Sequence, residues 1–175
     1  MTGGIAAAGA LSDTWVWDGN AWTKVDDGLT GGLSGHCMAY DSARDRVVLF
    51  GGVNPKVQPA AAVATTLEWT GATWQEVSNF GPQARYFSTI AFDAANKRCV
   101  MFGGQAFTPA GLLLNDTWEW DGQFWTERQN FGPPTLEQSA MVSDDARGHL
   151  VLFGGISNIN PLSSSGDVWE GYEHP

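Results

Sequence analysis

Short apolar runs, each closed by a pair of glycines, recur along the chain. The clearest run is Val47-Val48-Leu49-Phe50, which Gly51-Gly52 follows. Runs of this length and composition are typical of β-strands, and the chain shows no helical periodicity. Because the apolar stretch is continuous, we expect both faces of such a strand to be covered. The same pattern returns in residues 100–104 and 150–155.

A second pattern combines tryptophan with a tight turn. Residues 116–125 read DTWEWDGQFW, which predicts a strand, an Asp-Gly hairpin turn and the start of a second strand. Residues 13–22 are nearly identical, residues 65–74 are a weaker copy, and residues 167–170 begin a fourth copy. The tryptophan motif is therefore a repeated hairpin.

Both patterns return every 51 or 52 residues, which indicates a repeat protein. Each repeat contains strand candidates A to D in chain order. Strand A ends in aspartate, strand B ends in Gly-Gly, and strands C and D form the tryptophan hairpin. Four antiparallel strands in about fifty residues predict a β-propeller blade, with the tryptophans packed between blades. Aspartates are expected to accept backbone N–H groups in the A–B and C–D turns: Asp41, Asp93, Asp144, Asp18 and Asp121.

The Phe-Gly-Gly of strand B, with a tryptophan on strand C and another on strand D, resembles the bacterial form of the kelch repeat. The resemblance covers nearly the whole chain. It implies an all-β fold like the central domain of galactose oxidase, a partial β-propeller of four-stranded antiparallel kelch blades, just over three in number. The division would be the end of one blade with strands C and D (1–33), full blades (34–78 and 86–128) and a blade lacking its last strand (137–175). The kelch scaffold hosts many roles, so the resemblance implies no single activity.

Just over three blades do not make a ring, because a propeller needs at least about four blades to close. Open blade faces and free strand edges would invite association. Two alternatives follow. The chain is part of a longer protein that supplies the remaining blades, or a second copy completes the ring. In the second case residues 13–25 would dock on residues 139–155 of the partner.

Composition narrows the expected partners. The 175 residues are 43% hydrophobic, which is enough for a core, and the net charge is −10. An acidic chain without a Lys/Arg cluster repels phosphate, so nucleic acid is not expected as a partner. There is no apolar run long enough to span a membrane and no signal peptide in the sequence as it stands. A secreted or extracellular location is expected if the chain belongs to a longer bacterial protein.

Candidate chemistry is sparse, and we expect no cofactor, no metal site and no catalytic constellation. Cys37 and Cys99 lack metal-ligand spacing and are expected to be buried free thiols. The aspartates that precede strand C, Asp13, Asp116 and Asp167, recur with the repeat and are expected to bond loop N–H groups. The histidines are scattered, and the tyrosines match no motif of the kelch-like copper oxidases: His36, His149, His174, Tyr40, Tyr86 and Tyr172.

The repeats differ most in the B–C and D–A loops, which are expected to share one rim. Variable loops on a rigid scaffold are a common place for binding. The competing interpretation is that Phe87 and Phe107 only pack the loops. We expect a non-catalytic module for a protein or carbohydrate ligand; the alternatives are a fragment of a kelch-fold enzyme of the galactose oxidase or sugar epimerase type and a gene fragment without activity. The candidate binding residues are Arg85, Tyr86, Phe87, Phe107, Asn158 and Asn160.

Arg85 has a second reading, because kelch blades often carry an arginine shortly before strand A. Leu33 and Leu136 take that place in the neighbouring repeats. The resemblance therefore implies a blade position for Arg85, while its place in a D–A loop makes it a binding candidate.

Overall fold

The computed structural model describes residues 1–7, 9–27, 31–55, 61–108, 111–129, 132–159 and 162–171. Within these ranges the chain is all-β, without a helix, and so without a helix that could cross a membrane. The strands are β1 Ile5–Ala6, β2 Gly9–Ala10, β3 Thr14–Trp17, β4 Trp22–Asp26, β5 Cys37–Asp41, β6 Arg46–Phe50, β7 Val53–Asn54, β8 Ala61–Ala62, β9 Thr66–Trp69, β10 Trp74–Ser78, β11 Arg85–Tyr86, β12 Thr89–Asp93, β13 Arg98–Phe102, β14 Gln105–Ala106, β15 Thr117–Trp120, β16 Trp125–Gln129, β17 Ala140–Asp144, β18 His149–Phe153, β19 Ile156–Ile159, β20 Leu162–Ser164 and β21 Val168–Gly171.

The longer strands form antiparallel sheets in the order that the repeat predicts. Sheet 1 is β5-β6-β9-β10 and sheet 2 is β12-β13-β15-β16, each with four strands. Sheet 3 has three strands, β17-β18-β21, and the hairpin β3–β4 stands before sheet 1. In sheets 1 and 2 the order corresponds to strands A, B, C and D. In sheet 3 the described strands correspond to A, B and C.

The predicted turn chemistry is confirmed. The Oδ1 atom of Asp41 accepts the N–H groups of Ala43 and Arg44 at 3.0 and 3.1 Å. Asp121 Oδ1 accepts the N–H groups of Gln123 and Phe124 at 2.8 and 2.7 Å. A carboxylate that bonds its own turn fixes where each strand ends. Asp18, Asp93 and Asp144 make the corresponding bonds.

The main core lies between sheets 1 and 2, where a strand B run is covered as predicted. The side chains of Val48 and Phe50 are 0% and 1% exposed. Both cysteines are free and buried here, as predicted, and burial raises the pKa of each thiol to about 12. The tryptophans of sheet 2 face sheet 1, where Trp125 packs on Phe50 with ring centroids 5.2 Å apart.

The predicted B–C loops contain short strands that sequence patterns did not reveal. After each Gly-Gly pair the chain extends into a short strand, and in three repeats this strand forms a hairpin: β1–β2, β7–β8 and β19–β20. The D–A segments pair with these extensions, since β11 pairs with β14, Ser34 bridges Val53 and Glu137 bridges Ile156. Two-residue strands are too short for an alternating pattern, so backbone pairing alone defines them.

Large apolar side chains are exposed at both ends of the row of sheets. On the hairpin β3–β4, Trp17 and Trp22 are 49% and 52% exposed. On sheet 3, Val142 and Val168 are 60% and 58% exposed. Sheets 1 and 2 lie between these two ends, so a neighbouring sheet covers the faces that stay exposed on β3–β4 and on sheet 3.

Candidate functional site

The short hairpins and the D–A segments meet at one end of the sheets, which we call the hairpin end. The Asp-Gly turns and the turns between strands A and B lie at the opposite end, because each antiparallel strand reverses the chain direction. The hairpin end includes β7–β8, β11 with β14, and β19–β20. Loops of varied sequence on a fixed frame are suited to binding.

An aromatic cluster made of Tyr86, Phe87 and Phe107 lies at the hairpin end. The Tyr86 ring centroid is 4.9 Å from that of Phe87 and 6.2 Å from that of Phe107, both in edge-to-face arrangement. Phe87 is 37% exposed and Phe107 is 47% exposed. The structure therefore brings together three of the residues that the sequence selected, and the rings both pack on each other and reach the surface.

Phe87 is held in a backbone conformation that bulky residues rarely adopt. Its φ angle is +58°, in the left-handed region. The residues at the same place in the neighbouring repeats, Gly35 and Gln138, also have positive φ. The N–H of Phe87 donates to the carbonyl of Gly35 at 2.7 Å, and the N–H of Gln138 donates to the carbonyl of Phe87 at 2.9 Å. A backbone ladder of hydrogen bonds thus joins the repeats and fixes the Phe87 ring at the surface.

Arg85 is placed inside the protein and not on its surface. Its side chain is 1% exposed, and its guanidinium group donates to both carboxylate oxygens of Asp116 at 2.6 and 2.7 Å. It also donates to the carbonyls of Gly103 and Gln83. Burial opposes ionisation of Asp116, but the hydrogen bonds and the charge of Arg85 outweigh it, so the pKa of Asp116 lies below its ordinary value.

In the described part of the chain, the hydrogen bonds seen at the carboxylates of the aspartates that precede strand C come from side chains, whereas bonds from loop N–H groups were expected. Asp116 accepts the indole N–H of Trp118 at 2.7 Å in addition to Arg85. Asp13 accepts the indole N–H of Trp15 at 2.7 Å, and Asp167 accepts the hydroxyl of Ser165 at 2.9 Å. The sequence signal was available for Asp13 and Asp116, since each stands two residues before the tryptophan whose indole it bonds.

Glu137 is a candidate that the sequence did not suggest. Its side chain is 6% exposed, and its Oε2 atom is buried without a hydrogen-bond partner among the described residues. Burial raises the pKa of Glu137, and its charge contributes to the raised pKa of the nearby Tyr86. Glu137 occupies the place of Tyr86 one repeat later, so a buried carboxyl lies beside the aromatic cluster.

His36 is a second residue with a buried polar atom. Burial lowers the pKa of His36, although a backbone hydrogen bond to Thr2 opposes this effect. Its Nδ1 atom and the Oγ atom of Ser139 are buried without hydrogen-bond partners in the described part of the chain. Ser88, at the same place in the middle repeat, donates to the carbonyl of Gly103 at 2.9 Å. We interpret these residues as packing groups at the start of strand A.

Two predicted binding residues, Asn158 and Asn160, lie partly or wholly outside the residues that the structure describes. Asn158 belongs to β19, where its backbone pairs with Ser163, and its side chain is outside the described part. Asn160 lies outside the described residues altogether. Over the described residues, no group of three or more His, Cys, Asp or Glu side chains is placed to hold a metal ion.

A cavity of about 780 Å³ lies between sheets 2 and 3, and none of the predicted binding residues lines it. Its walls combine apolar groups with both signs of charge. The lining includes Arg98, Phe102, Thr117, Glu119, Gly132 and Trp169.

Comparison with known proteins gives a likeness of fold alone. No protein-family profile and no curated protein matches the sequence. Among solved structures, the chain is similar to that titled "Structure of YjhT", a kelch-type protein, with a TM-score of 0.67 over 84% of this chain at 14% identity. The likeness covers 45% of that chain, so this protein spans less than half the length of its structural neighbour.

Proposed function

We propose that the chain is a partial β-propeller of kelch-type blades that acts as a non-catalytic binding module. The proposed fold is supported by the repeat period, by two four-stranded antiparallel sheets in the same strand order, and by the similarity to YjhT. In this proposal sheets 1 and 2 are complete blades, sheet 3 is a blade without its last strand, and β3–β4 is the end of a preceding blade.

The aromatic cluster is the observation that carries the binding proposal. Three rings lie edge to face, and two of them are more than one-third exposed. Phe87 keeps its ring at the surface although its backbone is in the left-handed region, which is strain of the kind often found at ligand contacts. Rigid aromatic side chains are also the usual anchors of protein interfaces.

A protein segment with basic residues is the ligand that the charges favour. The chain has a net charge of −10, which attracts a positively charged partner over long distances. Aromatic faces attract Lys and Arg at short range, and Glu137 places a carboxyl beside the cluster. A carbohydrate is the alternative ligand, and the experiment must distinguish it from a basic peptide.

The experiment exposes the purified protein to an immobilised random-peptide library and to an oligosaccharide array in parallel. We expect basic peptides to be enriched, and the Phe87→Ala/Phe107→Ala variant to bind them at least tenfold more weakly. Phe124→Ala removes a 66%-exposed ring from the opposite end of sheet 2 and serves as the matched control. Binding to oligosaccharides alone, or equal loss in both variants, would contradict the proposal.

The second candidate function is a fragment of a kelch-fold enzyme, and Glu137 is the observation in its favour. A buried carboxyl whose pKa is raised by burial is a candidate group for proton transfer. Incubation with aldoses in deuterated water would test for exchange of carbon-bound protons. Exchange that disappears in Glu137→Gln would favour the enzyme, and no exchange in the wild type would leave the binding module.

A further inference from the structure

A groove of about 390 Å³ lies at the junction between sheets 1 and 2. One wall is formed by the end of β10 and the loop that follows it, and the other wall is formed by the turn before β16 and the start of that strand. Because β10 and β16 are the end strands of their sheets, the groove lies at the edge of both. It shares no residue with the aromatic cluster, so an inference about it is independent of the binding module proposed above.

Each wall of the groove carries a strongly exposed phenylalanine ring. Phe80 is 82% exposed, the highest fraction of any large apolar side chain in the described part of the chain, and Phe124 is 66% exposed. A ring whose role is to pack the fold would be covered, since contact between apolar surface and water is unfavourable. Exposed aromatic rings in a concave site are typical of ligand contacts.

Both rings are presented by turns that hydrogen bonds hold in place. The hydroxyl of Ser78 accepts the N–H of Phe80 at 3.2 Å and donates to the Phe80 carbonyl at 3.0 Å. On the other wall, Asp121 Oδ1 accepts the N–H of Phe124 at 2.7 Å. A backbone that is already ordered loses less conformational freedom when a ligand binds. The groove is therefore formed before any ligand arrives.

Direct contact joins the two walls between the rings in sequence. Gly81 and Trp125 both line the groove, and an added Cβ at Gly81 would lie 2.7 Å from the Trp125 Cβ. Trp125 is itself anchored, because its indole N–H donates to Thr66 in sheet 1. The loop after β10 thus lies directly on the start of β16, and the separation of the walls is fixed by the junction of the sheets.

The polar groups of the groove are uncharged. Asn79 and Gln123 contribute one exposed amide side chain to each wall. Among the described residues that line the groove none is charged, although the chain contains 19 acidic residues. Charge complementarity therefore favours an uncharged ligand. An amide offers N–H donors and a carbonyl acceptor, so it can pair with a hydroxyl group in either direction.

We propose that this groove binds a neutral oligosaccharide. A sugar ring carries C–H groups on its face and hydroxyl groups around its rim. The C–H groups have a small positive charge and the face of a phenylalanine ring is negative, so Phe80 and Phe124 contact the sugar faces. Asn79 and Gln123 exchange hydrogen bonds with the hydroxyls. An aliphatic ligand would match the rings but would leave the amides without partners.

An array of neutral and carboxylated oligosaccharides is the first test. We expect the purified protein to bind neutral members and not the carboxylated ones. Calorimetry with the neutral oligosaccharide that gives the strongest array signal should then show that the dissociation constant rises about tenfold in Phe80→Ala and in Phe124→Ala. Near-ultraviolet circular dichroism checks that each variant is folded, and both side chains are exposed, so the fold should tolerate their loss.

Further variants separate the ring face from apolar bulk. Phe80→Tyr keeps the ring and should bind as the wild type does, whereas Phe80→Leu keeps an apolar side chain and should bind about as weakly as Phe80→Ala. Gln123→Met keeps the length of the side chain but removes the amide, and should raise the dissociation constant about fivefold. Wild-type affinity in Phe80→Leu would contradict the role of the ring face.

The variants of the aromatic cluster serve as the reciprocal control. Phe87→Ala/Phe107→Ala should bind the oligosaccharide as the wild type does, and Phe80→Ala should bind basic peptides as the wild type does. Absence of binding to any neutral oligosaccharide, or an equal loss of affinity in Phe87→Ala/Phe107→Ala and Phe80→Ala, would overturn the proposal. Selection of apolar peptides that Phe80→Ala no longer binds would assign the groove to a protein partner and would also overturn it.

Discussion

The indole N–H of Trp125 donates to Thr66 Oγ1 at 2.8 Å across the junction of sheets 1 and 2. Trp74 makes the corresponding bond to Thr14 at 2.9 Å across the preceding junction. The repeats are therefore joined by a directional polar contact inside an otherwise apolar interface. Such a contact fixes one alignment of the sheets, because any other alignment would bury an indole N–H without a partner.

Removal of the Thr66 hydroxyl should destabilise the fold. Thr66→Val keeps the shape of the side chain but leaves the Trp125 N–H buried and unbonded, which we expect to lower the free energy of unfolding by about 2 kcal/mol. Thr66→Ser keeps the acceptor and should lose less. Urea denaturation followed by tryptophan fluorescence measures both, and a loss in Thr66→Ser as large as that in Thr66→Val would contradict the leading role of the hydrogen bond.

Replacement of Arg85 by leucine, the residue at the same place in the neighbouring repeats, should be strongly destabilising. Arg85→Leu leaves Asp116 largely buried without its cation, so we expect a loss of about 3 kcal/mol. The double variant Arg85→Leu/Asp116→Asn should recover part of it. Arg128→Leu breaks the more exposed pair with Glu119 and should cost about 0.5 kcal/mol. Urea titration of all the variants checks this order.

The contribution of Asp116 to the free energy of unfolding should depend on pH. Its pKa is lower in the folded protein than its ordinary value of 3.8, so its stabilising effect is present above that value and is lost as the pH falls through the folded pKa. The difference between wild type and Arg85→Leu should therefore shrink in acid. Stability curves at pH 7 and pH 3 measure it, and a constant difference would contradict the assigned role.

Glu137→Gln should stabilise the protein at neutral pH. Burial raises the pKa of Glu137 above its ordinary value of 4.5, so its favourable contribution is complete below that pH and is lost as the pH rises through the folded pKa. A neutral amide avoids this loss. We therefore expect Glu137→Gln to raise the free energy of unfolding by about 1 kcal/mol at pH 7 and to leave it unchanged at pH 4. Thermal unfolding at both values tests it, with Glu127→Gln on the exposed face of β16 as the control.

Two glycines should respond differently to alanine. Gly51 has φ +71°, and an added Cβ would lie 2.5 Å from the carbonyl oxygen of Arg85, so Gly51→Ala should cost about 3 kcal/mol. Gly71 has φ +93° but nothing within 4 Å of the added Cβ, so Gly71→Ala should cost about 1 kcal/mol. Chemical denaturation gives the free energy of unfolding of both variants. Gly71→Ala measures the conformational strain alone, and the additional loss in Gly51→Ala measures the close backbone contact.

The sequence predicts those features that side-chain chemistry decides within a few residues. The turns at Asp41 and Asp121 and the apolar strand β6 could be predicted because each depends on its own residue types. The pairing of β11 with β14 could not, since it depends on backbone groups that come together only when sheets stack. Sheet order and the all-β character follow from the repeat itself.

The candidate site shows the same division. Tyr86, Phe87 and Phe107 could be predicted as binding residues because they are large aromatic residues in loops whose sequence varies between repeats. The interior position of Arg85 depends on Asp116, which lies far along the chain, and the buried oxygen of Glu137 depends on packing around it. Long-range contacts of this kind leave no local pattern in a single sequence.

The backbone ladder through Gly35, Phe87 and Gln138 has an evolutionary consequence. Its hydrogen bonds join main-chain atoms, so neighbouring units stay aligned although a glycine, a phenylalanine and a glutamine occupy the rungs. In-frame duplication of a unit would extend the ladder without a compensating mutation, and later substitutions on the rungs would alter surface chemistry more than stacking. The fold can therefore gain a repeat by gene duplication first, and later substitutions can then change the surface of the new repeat.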